Sequence, residues 1–261
     1  MAAGDARATS FGQVADDYDR LRPDPPDEAL DWLVPPDCEV AVDVGAGTGL
    51  FSRALQRRAT MVVAVEPDDR MRAVLSERSP GVRVVAGRGE AIPVPDASAD
   101  GVFVSSAWQW LDLDQAVPEV ARVLRDGGRL GVIATSRDRR VDWVAELDSL
   151  LGPNAARMAR DINTRVDRRP EVMLPENAPF GNIVSASFLF SRTMTVDDAV
   201  GWLATYSSVI MAHAGEREAG LARAREALSR HAVGNGMVEI PVRSSCWRAD
   251  RAHRPESARP H

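Results

Sequence analysis

A turn with three glycines is the first part of the sequence whose residue types point to a ligand. Gly45, Gly47 and Gly49 follow an apolar stretch at 40–44 and precede a helical pattern that begins at Leu50. Glycine permits φ above zero and close approach of a ligand, and the free N–H groups at the start of a helix favour a carboxylate or a phosphate. The dinucleotide fingerprint Gly-x-Gly-x-x-Gly would place its third glycine where this chain has Leu50. The turn therefore predicts a nucleotide-like ligand, and Leu50 disfavours an NAD-dependent oxidoreductase.

An acidic residue at the end of the next apolar stretch supports the same site. Glu66 follows the stretch 61–65 and precedes Pro67. A carboxylate in this place can accept two charge-assisted hydrogen bonds from a ribose diol. On its own, Glu66 would equally suit the start of a helix, where the dipole favours an acid. Together with the glycine turn, it indicates an adenosine-containing ligand.

Groups that could take a proton or hold a metal ion are scarce. All 32 basic residues are arginine, which excludes Schiff-base chemistry, a P-loop lysine and a lysine general base. His213, Tyr18, Tyr206 and nearby carboxylates remain as candidate bases. The 2 cysteines and 4 histidines are too scattered for a disulfide framework or a metal site. We therefore expect no metal.

Charge and hydropathy narrow the class of protein. The net charge of −6 argues against a nucleic-acid-binding surface and against a protein held on an anionic membrane by bulk charge. The N-terminal residues lack an apolar stretch of signal-peptide length, and no apolar run is long enough to span a membrane. We expect a cytoplasmic monomer or homodimer that binds neither nucleic acid nor a membrane.

Short apolar stretches alternate with helical patterns in the first half of the chain. The predicted strands are 40–44, 61–65, 82–86, 102–104 and 130–134. Each is apolar on both faces, as in a parallel sheet covered by helices. One helix between them carries Met71, Val74 and Leu75 on a single stripe. A second helix, at 114–125, carries Val117, Val120, Ala121 and Leu124 on its stripe and ends before Asp126-Gly127-Gly128. This order predicts a doubly wound α/β sheet.

The second half of the chain has a different organisation. About forty residues separate position 136 from the next convincing strand at 183–190, which is too long for one crossover helix. We therefore predict an inserted cap with helices at 141–151 and 154–166, then helices at about 195–212 and 215–231. A last strand at 237–247 contains Pro241 and one polar face, which suit an edge or near-edge position.

The sequence resembles the class I S-adenosylmethionine-dependent methyltransferases, specifically the type 11 methyltransferase-domain group. Four segments carry the resemblance in order and spacing: AVDVGAGTG from Ala41, AVEPDDRM from Ala64, VVAGRGEAIPVPDASAD from Val84 and EVARVLRDGGRLGVI from Glu119. The resemblance is strong over residues 38–136. It is also found in an N-terminal motif at 11–23 and in the strand end at 246–248.

The family implies a fold for this chain, and the small, polar or Arg- and Pro-rich ends of the sequence add a flexible tail on each side of the domain. The fold is a Rossmann-like seven-stranded α/β sheet with an antiparallel last strand and a helical cap insertion. The layout is a flexible tail at 1–10, one methyltransferase domain at 11–248 and a flexible tail at 249–261. Within the domain we expect N-terminal lid helices at 11–35, a cofactor half at 38–136, the cap at 137–180 and C-terminal helices and strands at 181–248.

The same resemblance implies S-adenosylmethionine as cofactor, with S-adenosylhomocysteine as product, and it assigns roles to the matching residues. Asp43, Gly45 and Gly47 would hold the methionyl amine and carboxylate, and Glu66 would bind the ribose. Met71 would pack on the adenine, Gly89 and Glu90 would border its edge, and Ser105 and Ser106 would line the methionine end. The full predicted cofactor-binding set is Asp43, Gly45, Ala46, Gly47, Gly49, Glu66, Pro67, Met71, Gly89, Glu90, Ser105 and Ser106.

The loop after the fourth strand departs from the family in one respect. Related methyltransferases often have histidine where this chain has Gln109, and glutamine cannot take a proton at neutral pH. Trp108 and Trp110 would either wall the acceptor pocket or pack in the core. Arg137 leaves the fifth strand at the ligand-binding edge, whereas the other arginines of the cap are interleaved with acids and indicate a solvated face. The predicted substrate-binding set is Tyr18, Trp108, Gln109, Trp110, Arg137 and Tyr206.

The predicted activity is in-line transfer of a methyl group to a small-molecule acceptor. Oxygen is the predicted acceptor atom, with nitrogen, carbon and sulfur left open. Alignment supplies much of the rate enhancement, and a base is needed only for a protonated alcohol or phenol. No catalytic residue is assigned; the candidates are His213, Tyr18 and Tyr206. The alternative is a non-catalytic accessory protein that binds S-adenosylmethionine or S-adenosylhomocysteine.

Overall fold

A seven-stranded sheet organises the computed structural model, which describes residues 15–152 and 174–253. The strands are β1 (Val40–Val44), β2 (Met61–Glu66), β3 (Arg83–Ala86), β4 (Ala99–Ser105), β5 (Leu124–Arg137), β6 (Phe180–Thr195) and β7 (Met237–Arg251). Their order is β3-β2-β1-β4-β5-β7-β6. The first five strands pair in parallel, and β7 runs antiparallel to both β5 and β6. The predicted seven-stranded fold with an antiparallel last strand is confirmed.

Helices cover both faces of this sheet in the described part of the chain. They are α1 (Ala15–Leu21), α2 (Asp27–Leu33), α3 (Leu50–Leu55), α4 (Asp69–Arg78), α5 (Leu113–Val123), α6 (Asp142–Leu150), α7 (Val196–Ala204), α8 (Ser207–Ile210) and α9 (Ala214–Arg230), with a 3₁₀ turn at Trp108–Trp110. Val42 and Val44 of β1 pack in one apolar cluster, and Ala41 packs in another. Burial on both faces explains why the central strands are apolar throughout.

Helix α5 is shorter than its apolar stripe predicted. It ends at Val123, and Leu124 is extended and begins β5. The pairing register with β4 then jumps from Leu124 to Arg129, and Gly127 has φ of 76° within this irregularity. The predicted helix end before Asp126-Gly127-Gly128 is therefore corrected by two residues, and the glycines form a bulge in the strand.

The second half of the chain contains longer strands and more helix breaks than predicted. The predicted helix at 141–151 is α6, whereas 154–166 lies outside the described residues. The predicted helix at 195–212 is two helices, because Tyr206 has extended backbone angles between α7 and α8. Strand β7 is next to the edge strand β6, as its near-edge assignment predicted.

The C-terminal boundary also needs correction. Strand β7 continues to Arg251, beyond the predicted domain end at 248, and Ala249 and Arg251 are buried. The Arg251 guanidinium donates to the Leu124 carbonyl and lies near Asp126. These contacts bind the end of β7 to the start of β5, so the predicted tail at 249–261 begins too early.

Two searches of the described residues bear on membranes and metals. No helix there combines the length and the apolar character needed to cross a bilayer. Within the same residues, no group of three or more His, Cys, Asp or Glu side chains could hold a metal ion.

Candidate functional site

The glycine turn joins β1 to α3 with three residues in left-handed backbone conformations. Gly45, Gly47 and Gly49 have φ of 69°, 58° and 89°. The N–H of Gly45 donates to the Val65 carbonyl at 2.8 Å, which holds the turn against β2. A Cβ atom placed on Gly47 would meet nothing within 4 Å. Gly47 therefore borders open space at the carboxyl end of the sheet, where ligands of open α/β sheets bind.

A cleft with two lobes passes over this turn. Both lobes are lined by Tyr18, Gly45, Gly47, Ser105 and Ser106. The larger lobe is also lined by Glu66, Pro67, Met71, Arg88, Gly89, Glu90, Ala107, Trp110 and Leu111. The smaller lobe is also lined by Arg22, Pro23, Pro25, Ala46, Thr48, Leu50, Phe51 and Thr135. The cleft thus offers two compartments that meet at the glycine turn.

Glu66 is fixed in the larger lobe by backbone hydrogen bonds. Its Oε2 accepts from the Gly47 N–H at 2.8 Å, and its Oε1 accepts from the Asp68 N–H at 2.9 Å. Burial raises the pKa of Glu66, and the two N–H bonds oppose that rise without cancelling it. Each carboxylate oxygen keeps a second lone pair, so the group can also accept hydrogen bonds from hydroxyls in the lobe.

Asp43 lies beneath the turn, where no part of its side chain reaches the cleft. It is fully buried, and the Ser52 hydroxyl donates to its Oδ2 at 2.6 Å. Its Oδ1 has no hydrogen-bond partner among the described residues. Burial raises the pKa of Asp43 to about 7, the Ser52 hydrogen bond opposes the rise, and the charge of Glu66 adds to it. Asp43 therefore titrates near neutral pH.

The predicted cofactor-binding residues converge, with two exceptions. All of them line the cleft except Asp43 and Gly49. A Cβ on Gly49 would lie 2.6 Å from Ser79 Oγ and 2.9 Å from Leu75 Cγ. Gly49 is therefore needed for the close approach of α4 to the turn, on the side away from the cleft.

The loop after β4 separates two tryptophans that the sequence placed together. Trp108 is buried and packs edge-on against Trp247, with ring centroids 5.3 Å apart. Trp110 lines the larger lobe. Neither ring lines the smaller lobe, so the structure does not place these predicted substrate-binding residues there.

The Gln109 side chain is exposed and forms a hydrogen bond with the backbone of its own loop. Its amide nitrogen donates to the Ser106 carbonyl at 2.9 Å. Ser106 has φ of 56°, and its N–H donates to the Ile133 carbonyl at 2.8 Å. Gln109 therefore stabilises a strained serine at the junction of the lobes and does not line either lobe.

The remaining predicted site residues do not all meet at the cleft. Tyr18 lines both lobes, whereas Arg137, which is buried, and Tyr206, which is half-buried, line neither. His213 is exposed at the start of α9 and lines neither lobe. Arg22 lies in the N-terminal motif at 11–23 without a predicted role, and the structure places it on the wall of the smaller lobe. Its position in that motif, beside Pro23, was the available signal.

Ion pairs hold α1 over the cleft. Asp19 accepts hydrogen bonds from Arg53 at 2.6 Å and from Arg78 at 3.0 Å, and Arg20 donates to Asp198 at 2.6 Å. Burial would raise the pKa of Asp19, but the hydrogen bonds from the two arginines outweigh burial and lower it. These contacts fix α1, and with it Tyr18, above the glycine turn.

Comparisons with known proteins agree with this geometry. A family model described as a methyltransferase domain matches residues 42–132. An uncharacterized methyltransferase of Mycobacterium tuberculosis is 39% identical over 246 residues, which cover 93% of this chain and 96% of that protein. A solved structure from Anaeromyxobacter dehalogenans, described as a type II methyltransferase, is 25% identical, with a TM-score of 0.65 over 89% of this chain and 99% of that one. A malonyl-[acyl-carrier protein] O-methyltransferase of Methylococcus capsulatus is 36% identical over 140 residues, which cover 50% of each chain.

Proposed function

The chain belongs to the class I S-adenosylmethionine-dependent methyltransferases, and we propose that it transfers the methyl group to a carboxylate oxygen of a small-molecule acid. Carboxylate O-methylation is the specific form of the O-methylation expected from the sequence. The observation that carries the proposal is the lining of the smaller lobe. Among the described residues that line it, there is neither a carboxylate nor a histidine.

Three features of the larger lobe support its fit to the cofactor. The Glu66 carboxylate lies in the lobe and is oriented for a ribose diol by Gly47 and Asp68. The backbone at Gly47 borders open space that only glycine leaves unfilled. Met71 and Gly89 line the same lobe and present an apolar side chain and bare backbone toward an adenine. The backbone of Gly45 and Gly47 would hold the methionyl end, and Ser105 and Ser106 would border it.

The chemistry needs alignment more than acid–base catalysis. When bound, the cofactor supplies a methyl group made electrophilic by a positively charged sulfur. The chain positions the acceptor in the smaller lobe, so that its oxygen faces the junction of the lobes at Tyr18, Ser105 and Ser106. Positioning of this kind contributes roughly 7–11 kcal/mol to lowering a barrier. Helix α1, held by Asp19, keeps Tyr18 at this junction.

The described lining of the smaller lobe favours an acceptor that needs no base, because it contains no carboxylate and no histidine, and Tyr18 is its one residue among the predicted candidate bases. An alcohol or phenol would have to lose its proton before or during transfer. A carboxylic acid is already ionised at neutral pH, because its pKa is near 4. The lobe therefore suits a carboxylate, whose oxygen attacks without proton transfer to the protein. The relative from Methylococcus capsulatus, whose name gives oxygen as the acceptor atom, supports the same choice.

Labelled methyl transfer tests this proposal. The protein is incubated with S-adenosylmethionine tritiated on the methyl group and with metabolite extracts, and the products are treated with mild base. A methyl ester releases its label as volatile methanol, whereas an ether or a methylamine keeps it. We expect base-labile label; base-stable label would contradict the proposal.

A matched pair of variants controls the assay. Gly47→Val places a side chain in the open space of the cleft and should abolish transfer. Gly236→Val also enters open space at a glycine with positive φ, of 71°, but outside both lobes before β7, and should leave transfer unchanged.

A further inference from the structure

We propose that the smaller lobe continues into a binding site for a second anionic oxygen group of the acceptor, a carboxylate or a phosphate, formed by Arg22, Tyr206 and Arg137. The proposal rests on the proposed function, because the group belongs to the acceptor that is methylated. It adds the chemical class of that acceptor: a small molecule with an anionic group besides the oxygen that receives the methyl.

Arg137 is the first observation. Only 1% of the residue is exposed, and its Nη2 donates to Asp148 Oδ1 at 2.6 Å. Its Nε and Nη1 have no hydrogen-bond partner within the described part of the chain. Buried guanidinium donors are almost always satisfied in folded proteins, so two unsatisfied nitrogens on one buried arginine indicate a missing acceptor.

Tyr206 is the second observation. Its hydroxyl is buried and also lacks a partner among the described residues. The ring lies at the break between α7 and α8, where the backbone is extended. The guanidinium carbon of Arg137 lies 4.9 Å from the ring centroid, and that of Arg22 lies 4.2 Å from it. Unsatisfied donors from two separate elements therefore meet around one aromatic ring.

The cluster is continuous with the smaller lobe. Arg22 lines the lobe and is anchored to Thr205 by two hydrogen bonds, at 2.9 and 3.0 Å. Thr135 lines the lobe as well, and Arg137 follows it by two residues along β5. Alternate residues of a strand face the same side of the sheet, so both side chains lie on the face that forms the lobe. Arg22 therefore contacts both the lobe and the Tyr206 ring and links the lobe to the cluster.

The charges of the cluster specify the ligand. Asp148 pairs with both Arg137 and Arg139, each at 2.6 Å. Arg22 lies over the Tyr206 ring and forms no ion pair with a described residue, so the cluster contains three guanidinium groups and one carboxylate, a net charge of plus two among these groups. The unsatisfied groups on Arg137 are donors, and a tyrosine hydroxyl can donate. An anionic oxygen group accepts from all of them, and guanidinium groups suit carboxylate and phosphate equally.

Calorimetry with succinate and with inorganic phosphate tests the site, using the full chain saturated with S-adenosylhomocysteine. We expect at least one of the two anions to bind, and the tighter one identifies the group; neutral succinamide should not bind. Binding is measured without turnover, so a failure of methyl transfer and a failure of this site give different results. Lack of heat from both anions in the millimolar range would overturn the proposal.

Tyr206→Phe is the decisive variant because it removes only an unsatisfied hydroxyl. A purely structural role predicts an unchanged or raised melting temperature and unchanged anion affinity. The proposed role predicts the same melting behaviour with anion affinity reduced about tenfold or more, since the lost hydrogen bond is to a charged group. Unchanged anion affinity in Tyr206→Phe would overturn the proposal even if wild type binds the anion.

A second pair of variants separates the site from general charge. Arg137→Met should reduce anion affinity more than Tyr206→Phe does, while Asp148 keeps its pair with Arg139. Arg140→Met removes the same charge from a neighbouring arginine that pairs with Asp138, and it should change anion affinity by about twofold at most. Equal losses in both arginine variants would assign the effect to bulk charge and contradict the site.

Discussion

Glu66 and Gly47 are joined by a hydrogen bond of 2.8 Å from the glycine N–H to the carboxylate Oε2. The bond connects the end of β2 to the turn after β1, across neighbouring parallel strands. It fixes the carboxylate before any ligand binds and leaves lone pairs free in the larger lobe. The two sequence features that first indicated an adenosine-containing ligand are thus in direct contact.

This contact predicts the effect of Glu66→Gln on cofactor binding. The amide group would present N–H donors toward the N–H groups of Gly47 or Asp68, which would turn the side chain away from the ribose. We expect calorimetry to show S-adenosylmethionine affinity reduced between about ten- and a hundredfold, the range for a lost hydrogen bond to a charged group. Glu39→Gln, an exposed acid before β1, is the matched control. Equal affinities for both variants would remove Glu66 from the ribose site.

The raised pKa of Asp43 predicts that the free energy of unfolding depends on pH. Its pKa is about 7 in the folded protein and near 4 in an unfolded chain. The folded state therefore holds a proton that the unfolded state releases, and the free energy of unfolding falls between pH 4 and 7, by up to about 1.4 kcal/mol per pH unit from this group. Urea unfolding of Asp43→Asn should show a shallower fall over the same range. A slope identical to that of wild type would contradict the pKa of Asp43.

A variant of Asp19 measures how much the ion pairs that hold α1 contribute to stability and to cofactor binding. Asp19→Asn weakens the pairs with Arg53 and Arg78, so we expect a loss of about 1 kcal/mol in the free energy of unfolding and weaker cofactor binding through displaced Tyr18. Because these pairs keep the pKa of Asp19 low, their stabilisation is present at neutral pH and is lost as pH falls through that lowered pKa. Asp17→Asn, an exposed acid on the same helix, should change neither quantity.

His213 should have no role in methyl transfer. It is exposed at the start of α9 and lines neither lobe, and a carboxylate acceptor needs no base. With an acid that accepts the methyl, His213→Gln should retain kcat/KM and the shape of its pH profile between pH 6 and 8. A lower kcat/KM in His213→Gln together with a changed pH profile would show that His213 acts as a base.

The fold was predictable because its determinants are local. Strands buried on both faces are apolar throughout, so they can be recognised in the sequence. The glycine turn and Glu66 follow such strands, and the carboxyl ends of parallel strands are where ligands bind in open α/β sheets. The cofactor lobe that we propose could be located from the sequence, because parallel strands bring their carboxyl ends to one edge of the sheet.

The positions of other site residues depend on packing between distant elements, which the spacing of residues in the sequence does not reveal. Gly49 faces α4 because that helix approaches the turn closely, which no pattern near Gly49 reveals. Trp108 and Trp110 separate because a 3₁₀ turn directs one ring into the core and the other into the cleft. The meeting of Tyr206 with Arg22 and Arg137 depends on a helix break and on three distant segments.

A crystal structure with S-adenosylhomocysteine is the most direct test of the two-lobe account. The adenosine should occupy the larger lobe beside Glu66, and the sulfur should lie at the junction formed by Tyr18, Ser105 and Ser106, facing the smaller lobe. A sulfur atom that faces away from the smaller lobe, or an adenosine outside the lobe of Glu66, would contradict the account.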